Sequence, residues 1–256
     1  MKLVNQDVTL QEIIDKLGIS RKTLYKWRKR GAKPDALKGL KTARKKGWIP
    51  LTRSSDLFPL INRICAWVLS GGCILHSFNV ELSGRVCDLE GLKNDVASLD
   101  LNPILREGEG RKRGPTLSAG GKGASPFGRV IHSLGVPRGE KAKQKYTLPG
   151  YLKNASERIR KDFLNVYLSN RMILLEGNRG FVLRLERYGE YRKAGRKLYS
   201  QLNRLMEETV GAEGSLFATW PHVSLYFDKG KAEKVLNDVD LRYNREKRRK
   251  AEERFE

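Results

Sequence analysis

The chain has 256 residues, enough for one sizeable hydrophobic core and a small appended module. Its 51 Lys and Arg against 29 Asp and Glu give a formal net charge of +22, which favours polyanionic partners. The most apolar stretch, LINRICAWVLSGGCILHSF, contains an arginine and a Gly-Gly pair, which argues against a membrane span and a membrane partner. Because MKLVNQDVTLQEI lacks the apolar core of a signal peptide, we expect a cytoplasmic protein.

Cysteines and histidines give no metal-binding pattern. The three cysteines form no CxxC pair, and the three histidines are scattered along the chain. We interpret them as small buried side chains and incidental imidazoles, and we expect no metal and no cofactor. These residues are Cys65, Cys73, Cys87, His76, His132 and His222.

Residues 9–31, TLQEIIDKLGISRKTLYKWRKRG, predict two short helices around a tight turn. Thr9 is a good N-cap for the first helix and Ser20 for the second. Gly18 is expected to end the first helix, because glycine adopts the left-handed turn conformation at little cost. Apolar side chains recur at helical spacing; they are Leu10, Ile13, Ile14 and Leu17, followed by Leu24 and Trp27. This layout is typical of a helix-turn-helix, whose second helix presents its N-terminal residues to base edges.

The second of these helices opens a strongly basic stretch. Between residues 21 and 46 there are twelve Lys or Arg and one Asp, a net charge of +11. That density favours salt-dependent contact with several phosphates, although a basic helix that is only solvated remains an alternative. Arg21, Lys22 and Tyr25 lie near the helix N-terminus and are the candidates for base contacts. The candidate phosphate contacts are Lys26, Lys29, Arg30, Lys33, Arg44, Lys45 and Lys46.

A linker and a mixed α/β region follow. A short helix is predicted from Pro34 to Lys46, with Pro, Ser and Asp residues closing it. Beyond Asp56 the order helix, strands, helix, strands occurs twice, which indicates an internal repeat of elements. Helices are predicted at 56–69, 88–100, 126–134, 154–170 and 193–210, with a charged helix in the tail. Strands are predicted in GGCILHSFNVELSG, near PILREGEG, in GFVLRLERY and in SLFATWPHVSLYF.

Two segments of this region carry further candidate contacts. Residues 106–128, REGEGRKRGPTLSAGGKGASPFG, predict a Gly-rich loop, either exposed to solvent or a basic arm that orders on phosphates. Its candidates are Arg111, Lys112 and Arg113. In FVLRLERY, Arg184 and Glu186 share one face of the strand. That pattern suits a nucleic-acid groove, and it equally suits any half-exposed antiparallel sheet.

Two segments resemble the LAGLIDADG family. INRICAWVLSGGCI looks like a signature helix with its Gly-rich end, and GRVIHSLGVPRGEKAKQKYTLPGYLKNASERIRKDFLNVYLSNRM resembles the stretch leading into the second signature helix. KPDALKGLKTARKKGWIPL is similar to the linker of archaeal members that carry a helix-turn-helix. The resemblance implies an α/β (α+β) class: an all-α helix-turn-helix, then a pseudo-two-fold αββαββα domain with two antiparallel saddle sheets. The implied boundaries are 1–33 for the helix-turn-helix, 34–55 for the basic linker, 56–150 and 151–240 for the two repeats, and 241–256 for a charged helix.

In active members of that family, an acid at the end of each signature helix holds a divalent cation, since hard oxygen ligands suit Mg²⁺ and place it against phosphates. The resemblance assigns these acid positions to Gly71 and Arg171. Gly71 has no side-chain ligand, and Arg171 places a cation where a cation would bind. We therefore expect no catalytic residues and no cleavage activity.

These expectations favour a DNA-binding regulator on a catalytically inactive LAGLIDADG-like scaffold, with the scaffold contacting phosphates and the small domain reading bases. One alternative is a structured-RNA or ribosome-associated binding factor that recognises A-form shape. A residual homing endonuclease is disfavoured by the missing acids. Nucleic acid is the expected partner under each hypothesis.

Overall fold

The computed structural model describes residues 9–17, 20–30, 35–108, 114–121, 123–177 and 179–255. By its internal contacts the chain divides into two units, Met1–Thr42 and Ala43–Glu256. Within the described residues, no helix has both the length and the apolarity that a bilayer crossing requires.

The described residues of the first unit form three helices. Helix α1 covers Leu10–Leu17, helix α2 covers Arg21–Arg30, and helix α3, Asp35–Lys45, begins in this unit. Thr9 caps α1 as predicted: its hydroxyl accepts from the backbone N–H of Glu12 at 3.3 Å, and the Glu12 carboxylate accepts from the Thr9 N–H at 2.8 Å. Ser20 caps α2 by accepting from the Thr23 N–H at 3.2 Å. The predicted turn residues Gly18 and Ile19 lie outside the described residues.

The second unit is built from two halves with the same element order. The first half runs α4 (Phe58–Gly71), β1 (Gly72–Ile74), β2 (Val80–Ser83), α5 (Val86–Ser98), β3 (Asn102–Arg106), β4 (Thr116–Gly120) and α6 (Ala124–Ser133). The second half runs α7 (Glu157–Arg171), β5 (Met172–Leu174), β6 (Phe181–Glu186), α8 (Tyr191–Val210), β7 (Ser215–Thr219), β8 (His222–Phe227) and α9 (Lys229–Asp238). Two short 3-10 helices, Lys141–Lys143 and Gly150–Asn154, connect the halves, and α10 (Arg245–Phe255) follows.

The sheets confirm the predicted repeat. Each is antiparallel and four-stranded, with strand orders β1-β2-β4-β3 and β5-β6-β8-β7. Both halves therefore follow the αββαββα pattern, and the expected α/β class with two antiparallel sheets is confirmed.

Three features of the fold differ from the sequence prediction. The predicted loop 106–128 contains β4, a strand hydrogen-bonded on both sides; its Leu117 and Ala119 alternate into the core, but its Gly and Ser content hid that pattern. SLFATWPHVSLYF is a hairpin of β7 and β8 rather than one strand, because its centre, Trp220–Pro221, forms the turn. Helix α9, capped by Asp228, was not predicted.

The core lies around α4 and α7, which pack against each other. Asn62 on α4 is buried and donates to the Ile159 carbonyl of α7 at 3.1 Å. Arg63 on α4 donates from Nε to both carboxylate oxygens of Asp162 at 3.0 Å. These two polar contacts fix the pair of central helices near their N-terminal ends.

The C-terminal segment closes the first half of this unit. The ring of Tyr243 packs edge-on against Trp67 of α4 with centroids 5.6 Å apart. Buried Asn244 donates to the Asp88 carboxylate at 3.3 Å and to the Ser169 carbonyl at 3.2 Å. Because Phe255 of α10 is also buried in the common core, the charged tail is part of the folded unit.

Candidate nucleic-acid interface

The outer face of α2 is basic and exposed, as the sequence predicted. Arg21, Lys22, Lys26 and Lys29 are all exposed, whereas Leu24 is buried with 5% of its surface accessible. Tyr25 is 56% exposed, and the Lys29 ammonium lies 5.3 Å from the centre of its ring. Leu24 thus anchors the helix, and the basic residues and Tyr25 face solvent.

The basic stretch continues along α3, where its cations differ in their surroundings. Arg44 and Lys45, in the last turn, are exposed, a position that suits their charge. Lys46 is held instead: its ammonium donates to the Asp100 carboxylate at 2.6 Å and to the Asp100 carbonyl, and it lies 5.6 Å from the Trp48 ring centre. Lys46 therefore has a structural partner that the sequence did not indicate.

Several predicted contacts fall outside what the structure describes. Lys33, Arg111, Lys112 and Arg113 are outside the described residues, and Arg30 ends α2 with its side chain undescribed. Their proposed roles remain predictions.

The faces of the two sheets turned away from the core carry charges of both signs. In the first sheet, two neighbouring cross-strand rows each carry one charged residue. One row has Glu81 beside Ser118 and Ile104, and the other has Arg106 beside Thr116 and Ser83. In the second sheet, one row has Arg184 beside Ser224 and Phe217, and the neighbouring row has Glu186 beside His222 and Thr219. Arg184 and Glu186 are both exposed on the same face, as predicted. Because the acids offset the arginines, these faces attract phosphates less strongly than α2 does.

An aromatic pair lies at the hairpin turn of the second sheet. Trp220, between β7 and β8, is 73% exposed, and its ring meets that of Tyr188 edge-on with centroids 6.5 Å apart. Exposed aromatic rings of this kind can stack on unpaired bases. Sequence analysis did not identify this pair, because an isolated Trp in a strand-like segment predicts a core residue.

The two positions assigned to catalytic acids end the central helices. Gly71 is the last residue of α4 and Arg171 the last of α7, each directly before the first strand of its half. Gly71 lies against α7 so closely that a Cβ atom there would be 2.1 Å from Nδ2 of Asn170. Asn170 donates from the same nitrogen to the Ser83 carbonyl at 3.2 Å. The Asn170 amide therefore occupies the space that a side chain at position 71 would need.

Lysines that the sequence did not single out occupy the ends of these helices. The Lys141 ammonium donates to the carbonyls of Val68 and Leu69 in the last turn of α4, the latter at 3.1 Å. Burial, together with the positive charges of Arg171 and Arg187, lowers the pKa of Lys141 to about 7, an effect that Cys73 opposes. Since lysine is seldom buried, sequence alone gave no signal for this placement.

Lys247 has the corresponding position in the second half. Its ammonium donates to the carbonyls of Ser169 and Asn170 at 2.6 and 3.4 Å, at the end of α7. Burial lowers its pKa to about 8, an effect that the carboxylate of Asp88 opposes. Lys247 lines a cavity of about 410 Å³ that also includes Asp88 and Glu246. Arg85 and Lys250 line the same cavity, so this lysine has neighbours of both charges.

Among the described residues, no three His, Cys, Asp or Glu side chains lie close enough together to bind a metal ion. Cys65 is buried, and burial raises the pKa of its thiol to about 12. Cys73 is half-buried. Cys87 is exposed, so its interpretation as a buried residue was wrong; it lies in the first turn of α5 on the solvent side.

Known proteins similar to this chain include a family model at its N-terminus. The family model described as a Homeodomain-like domain (HTH_23) matches residues 1–38. Part of the chain is 30% identical over 143 residues to the DNA-directed RNA polymerase subunit Rpo1N of Methanocaldococcus jannaschii, covering 48% of this chain and 10% of that protein. The chain thus spans about a tenth of the length of this curated relative.

Solved structures give the fold of the larger unit. The homing endonuclease I-WcaI bound to its DNA recognition sequence superposes with a TM-score of 0.51 at 13% identity, covering 78% of this chain and 97% of that chain. Full-length DUF199/WhiA from Thermatoga maritima gives a TM-score of 0.49 at 10% identity, covering 84% of this chain and 66% of that chain. The match to I-WcaI shows that the second unit has a LAGLIDADG-type fold, and the predicted resemblance is confirmed at the level of fold.

Proposed function

We propose that this chain is a DNA-binding regulatory protein in which α2 reads base edges and the LAGLIDADG-type unit contacts the duplex without cutting it. The observation that carries this proposal is the exposed basic face of α2. In the described part of the chain, Arg21, Lys22 and Lys26 have no carboxylate partner. Their charge is therefore free to neutralise phosphates and to reach base edges.

The larger unit is proposed to hold the duplex without cleaving it. Cleavage by a LAGLIDADG-type site would need an oxygen ligand at the end of each central helix. Gly71 supplies no side chain and Arg171 supplies a positive charge. Restoring the first acid would also displace the Asn170 amide, which fills the space beside Gly71.

The exposed pair of Trp220 and Tyr188 supports a second candidate, a binder of structured or ribosomal RNA. Sequence-specific recognition of RNA stacks splayed bases on aromatic rings, and Trp220 is the most exposed large apolar side chain among the described residues. Under this hypothesis, binding would favour folded RNA over any duplex DNA sequence.

The two candidates are separated by selection from a random duplex pool together with binding to a pool of folded RNAs. The DNA hypothesis predicts a duplex consensus, and replacement of Arg21 and Lys22 by Ala should remove it with little change in melting temperature. The matched control replaces Lys193 and Lys197, two exposed cations of α8, and should retain the consensus. If the Arg21 and Lys22 replacements are neutral for every DNA and RNA, α2 is not the reading element.

A further inference from the structure

Lys141 donates to a carbonyl at the end of α4 and has two further cations, Arg171 and Arg187, within electrostatic range. Arg171 and Arg187 lie close enough to Lys141 to add to the lowering of its pKa that burial causes. Among the described residues, no carboxylate forms an ion pair with any of the three. Burial of like charges without a counter-ion opposes folding, so an arrangement of this kind calls for an anion.

Arg187 is the most deeply buried of the three. Only 2% of its surface is exposed. Its guanidinium lies 5.0 Å from the Tyr146 ring centre and donates to the Glu186 carbonyl at 3.0 Å, while its buried Nε has no hydrogen-bond partner. α8 makes room for this side chain at Gly195, where a Cβ atom would lie 2.7 Å from Cγ of Arg187. The fold therefore accommodates a buried arginine whose five donors are only partly used.

Two neighbouring tyrosines, Tyr146 and Tyr199, also have buried hydroxyls without a hydrogen-bond partner. Tyr167 and Tyr199 lie within electrostatic range of Arg171 and Tyr146. Of the buried side-chain atoms that lack a hydrogen-bond partner in the described ranges, four belong to this cluster: Arg171 Nε, Arg187 Nε, Tyr146 OH and Tyr199 OH. Each of the four can donate a hydrogen, and each unsatisfied buried donor is costly.

The second half shows that this arrangement is not a general property of the fold. There, Lys247 caps α7 as Lys141 caps α4, but Asp88 supplies a negative charge that favours its protonated form. Lys141, at the end of α4, has two arginines beside it, whereas Lys247, at the end of α7, has the Asp88 carboxylate. The surplus of charge and of free donors is therefore specific to the surroundings of Lys141.

We propose that the cluster of Lys141, Arg171, Arg187 and Tyr146 binds a tetrahedral oxyanion of the phosphate class. The two arginines supply the charged donors and Tyr146 supplies a hydroxyl donor. Arg171 is half-buried, so the anion enters from its side. Either inorganic phosphate or a phosphate group of a nucleic acid offers this chemistry. The proposal stands independently of base reading by α2.

The test follows the thermal unfolding of the full chain through Trp48 and Trp67, which are buried in the second unit. Sodium phosphate is titrated against sodium chloride at equal ionic strength. We expect phosphate, at about 100 times its dissociation constant, to raise the melting temperature by about 5–10 °C over chloride. Arg187→Met and Arg171→Met should each lose this shift, whereas Arg196→Met, an exposed arginine of α8, should keep it.

A third variant, Tyr146→Phe, keeps the test valid if the arginine variants fail to fold. Tyr146→Phe removes one hydroxyl that has no partner, so it should melt at or above the wild-type temperature in chloride and show an affinity for phosphate about 10-fold weaker. The proposal is overturned if wild-type protein melts at the same temperature in phosphate and chloride. It is equally overturned if both Arg171→Met and Arg187→Met keep the phosphate shift.

The source of the anion is decided by adding a short duplex to protein whose bound phosphate is followed by phosphorus NMR. Displacement of the bound phosphate by the duplex, retained in Arg196→Met, assigns the site to a backbone phosphate. Simultaneous binding of both assigns it to free phosphate. Either result supports the oxyanion site, and neither depends on whether α2 selects a sequence.

Discussion

Lys141 and Lys247 have corresponding places in the two halves of the larger unit. Each ammonium donates to main-chain carbonyls in the last turn of a central helix, Lys141 to Leu69 at 3.1 Å and Lys247 to Ser169 at 2.6 Å. Both lysines satisfy carbonyls that a helix end leaves unpaired, but Lys141 has Arg171 and Arg187 nearby, whereas Lys247 has both Asp88 and Arg85. Their protonation should therefore affect stability to different extents.

The first prediction concerns pH. The pKa of Lys141 falls from 10.5 to about 7 on folding, so between these pH values the unfolded chain binds a proton that the folded chain does not. The contribution of Lys141 to the free energy of unfolding must then rise with pH across this window. The destabilisation is complete below pH 7 and absent above pH 10.5. Lys141→Met should thus gain stability relative to wild type near pH 7, and this gain should shrink by roughly 2–4 kcal/mol towards pH 10.

Urea unfolding of both proteins at several pH values measures that difference, and Lys247→Met provides the comparison. The pKa of Lys247 is lowered only to about 8, so its effect should have the same sign, a smaller size and a window that starts higher. A difference between Lys141→Met and wild type that does not vary with pH would contradict the assignment.

The second prediction concerns salt. Replacement of Arg21, Lys22, Lys26 and Lys29 by Gln removes four exposed cations. If all four contact phosphates, the slope of log affinity against log salt on duplex DNA should fall by about 3–4. Fluorescence anisotropy between low and moderate salt measures the slope. An unchanged slope would locate the main contact surface in the larger unit.

Deletion of residues 1–42 provides the complementary measurement, because the division between the units falls at Thr42. A longer deletion would remove Trp48, which is fully buried and packs against Phe127 with ring centroids 5.1 Å apart. The truncated protein should keep weak binding that is salt-sensitive and independent of sequence. Circular dichroism and melting of the fragment check that it remains folded.

The third prediction concerns Trp220. Because its ring is 73% exposed at the β7–β8 turn, Trp220→Ala should leave the melting temperature nearly unchanged. If the ring stacks on a base, the substitution should weaken binding by about 1–3 kcal/mol and abolish the quenching of tryptophan fluorescence on complex formation. Tyr188→Ala should give a smaller loss of affinity. Quenching that persists in Trp220→Ala would show that another tryptophan reports binding.

The fourth prediction concerns the end of α4. Gly71→Ala should destabilise the protein by about 1–3 kcal/mol, because its Cβ would lie 2.1 Å from Asn170 Nδ2. Asn170→Ala in the same chain should recover much of that loss, and the coupling energy of the double-mutant cycle measures the contact. Additive effects would mean that the helix ends separate to accept the methyl group.

The same geometry leads to an expectation for catalysis. Wild-type protein should not nick supercoiled DNA with Mg²⁺ or Mn²⁺, and the double variant Gly71→Asp, Asn170→Gly should not do so either, since Arg171 still opposes a cation at the other helix end. Metal-dependent nicking that copurifies with wild-type protein and is lost on replacement of one of its acids would refute this expectation.

The order of elements was predictable because it rests on local patterns. Helical spacing of apolar residues identified α1 and α2, and the Ser20 cap marked where α2 begins. Strand β4 was missed because only Leu117 and Ala119 carry its alternation among Gly, Ser and Thr. Its place in the sheet depends on pairing with β2 and β3, which no local pattern contains.

The functional positions divide in the same way. The exposed cations of α2 were predictable, because an amphipathic helix fixes which residues face solvent. Arg187 was not, since burial of an arginine depends on the tertiary contacts of Tyr146 and on the space left by Gly195. Lys46 likewise meets Asp100 across 54 residues of sequence. Charge in the sequence indicated the class of partner. Only the fold identified which charged side chains have contacts within the protein.

The contacts of Tyr243 and Asn244 have a consequence for co-translational folding. Synthesis proceeds from the N-terminus, and domains generally fold as they emerge. In this chain, however, the Asp88 carboxylate in the first half receives a hydrogen bond from Asn244, which is synthesised 156 residues later, and the Trp67 ring packs against Tyr243. The first half therefore stays incompletely packed until Tyr243 and Asn244 leave the exit tunnel. A nascent chain stalled before residue 240 exposes the Trp67 ring and the Asp88 carboxylate to chaperones.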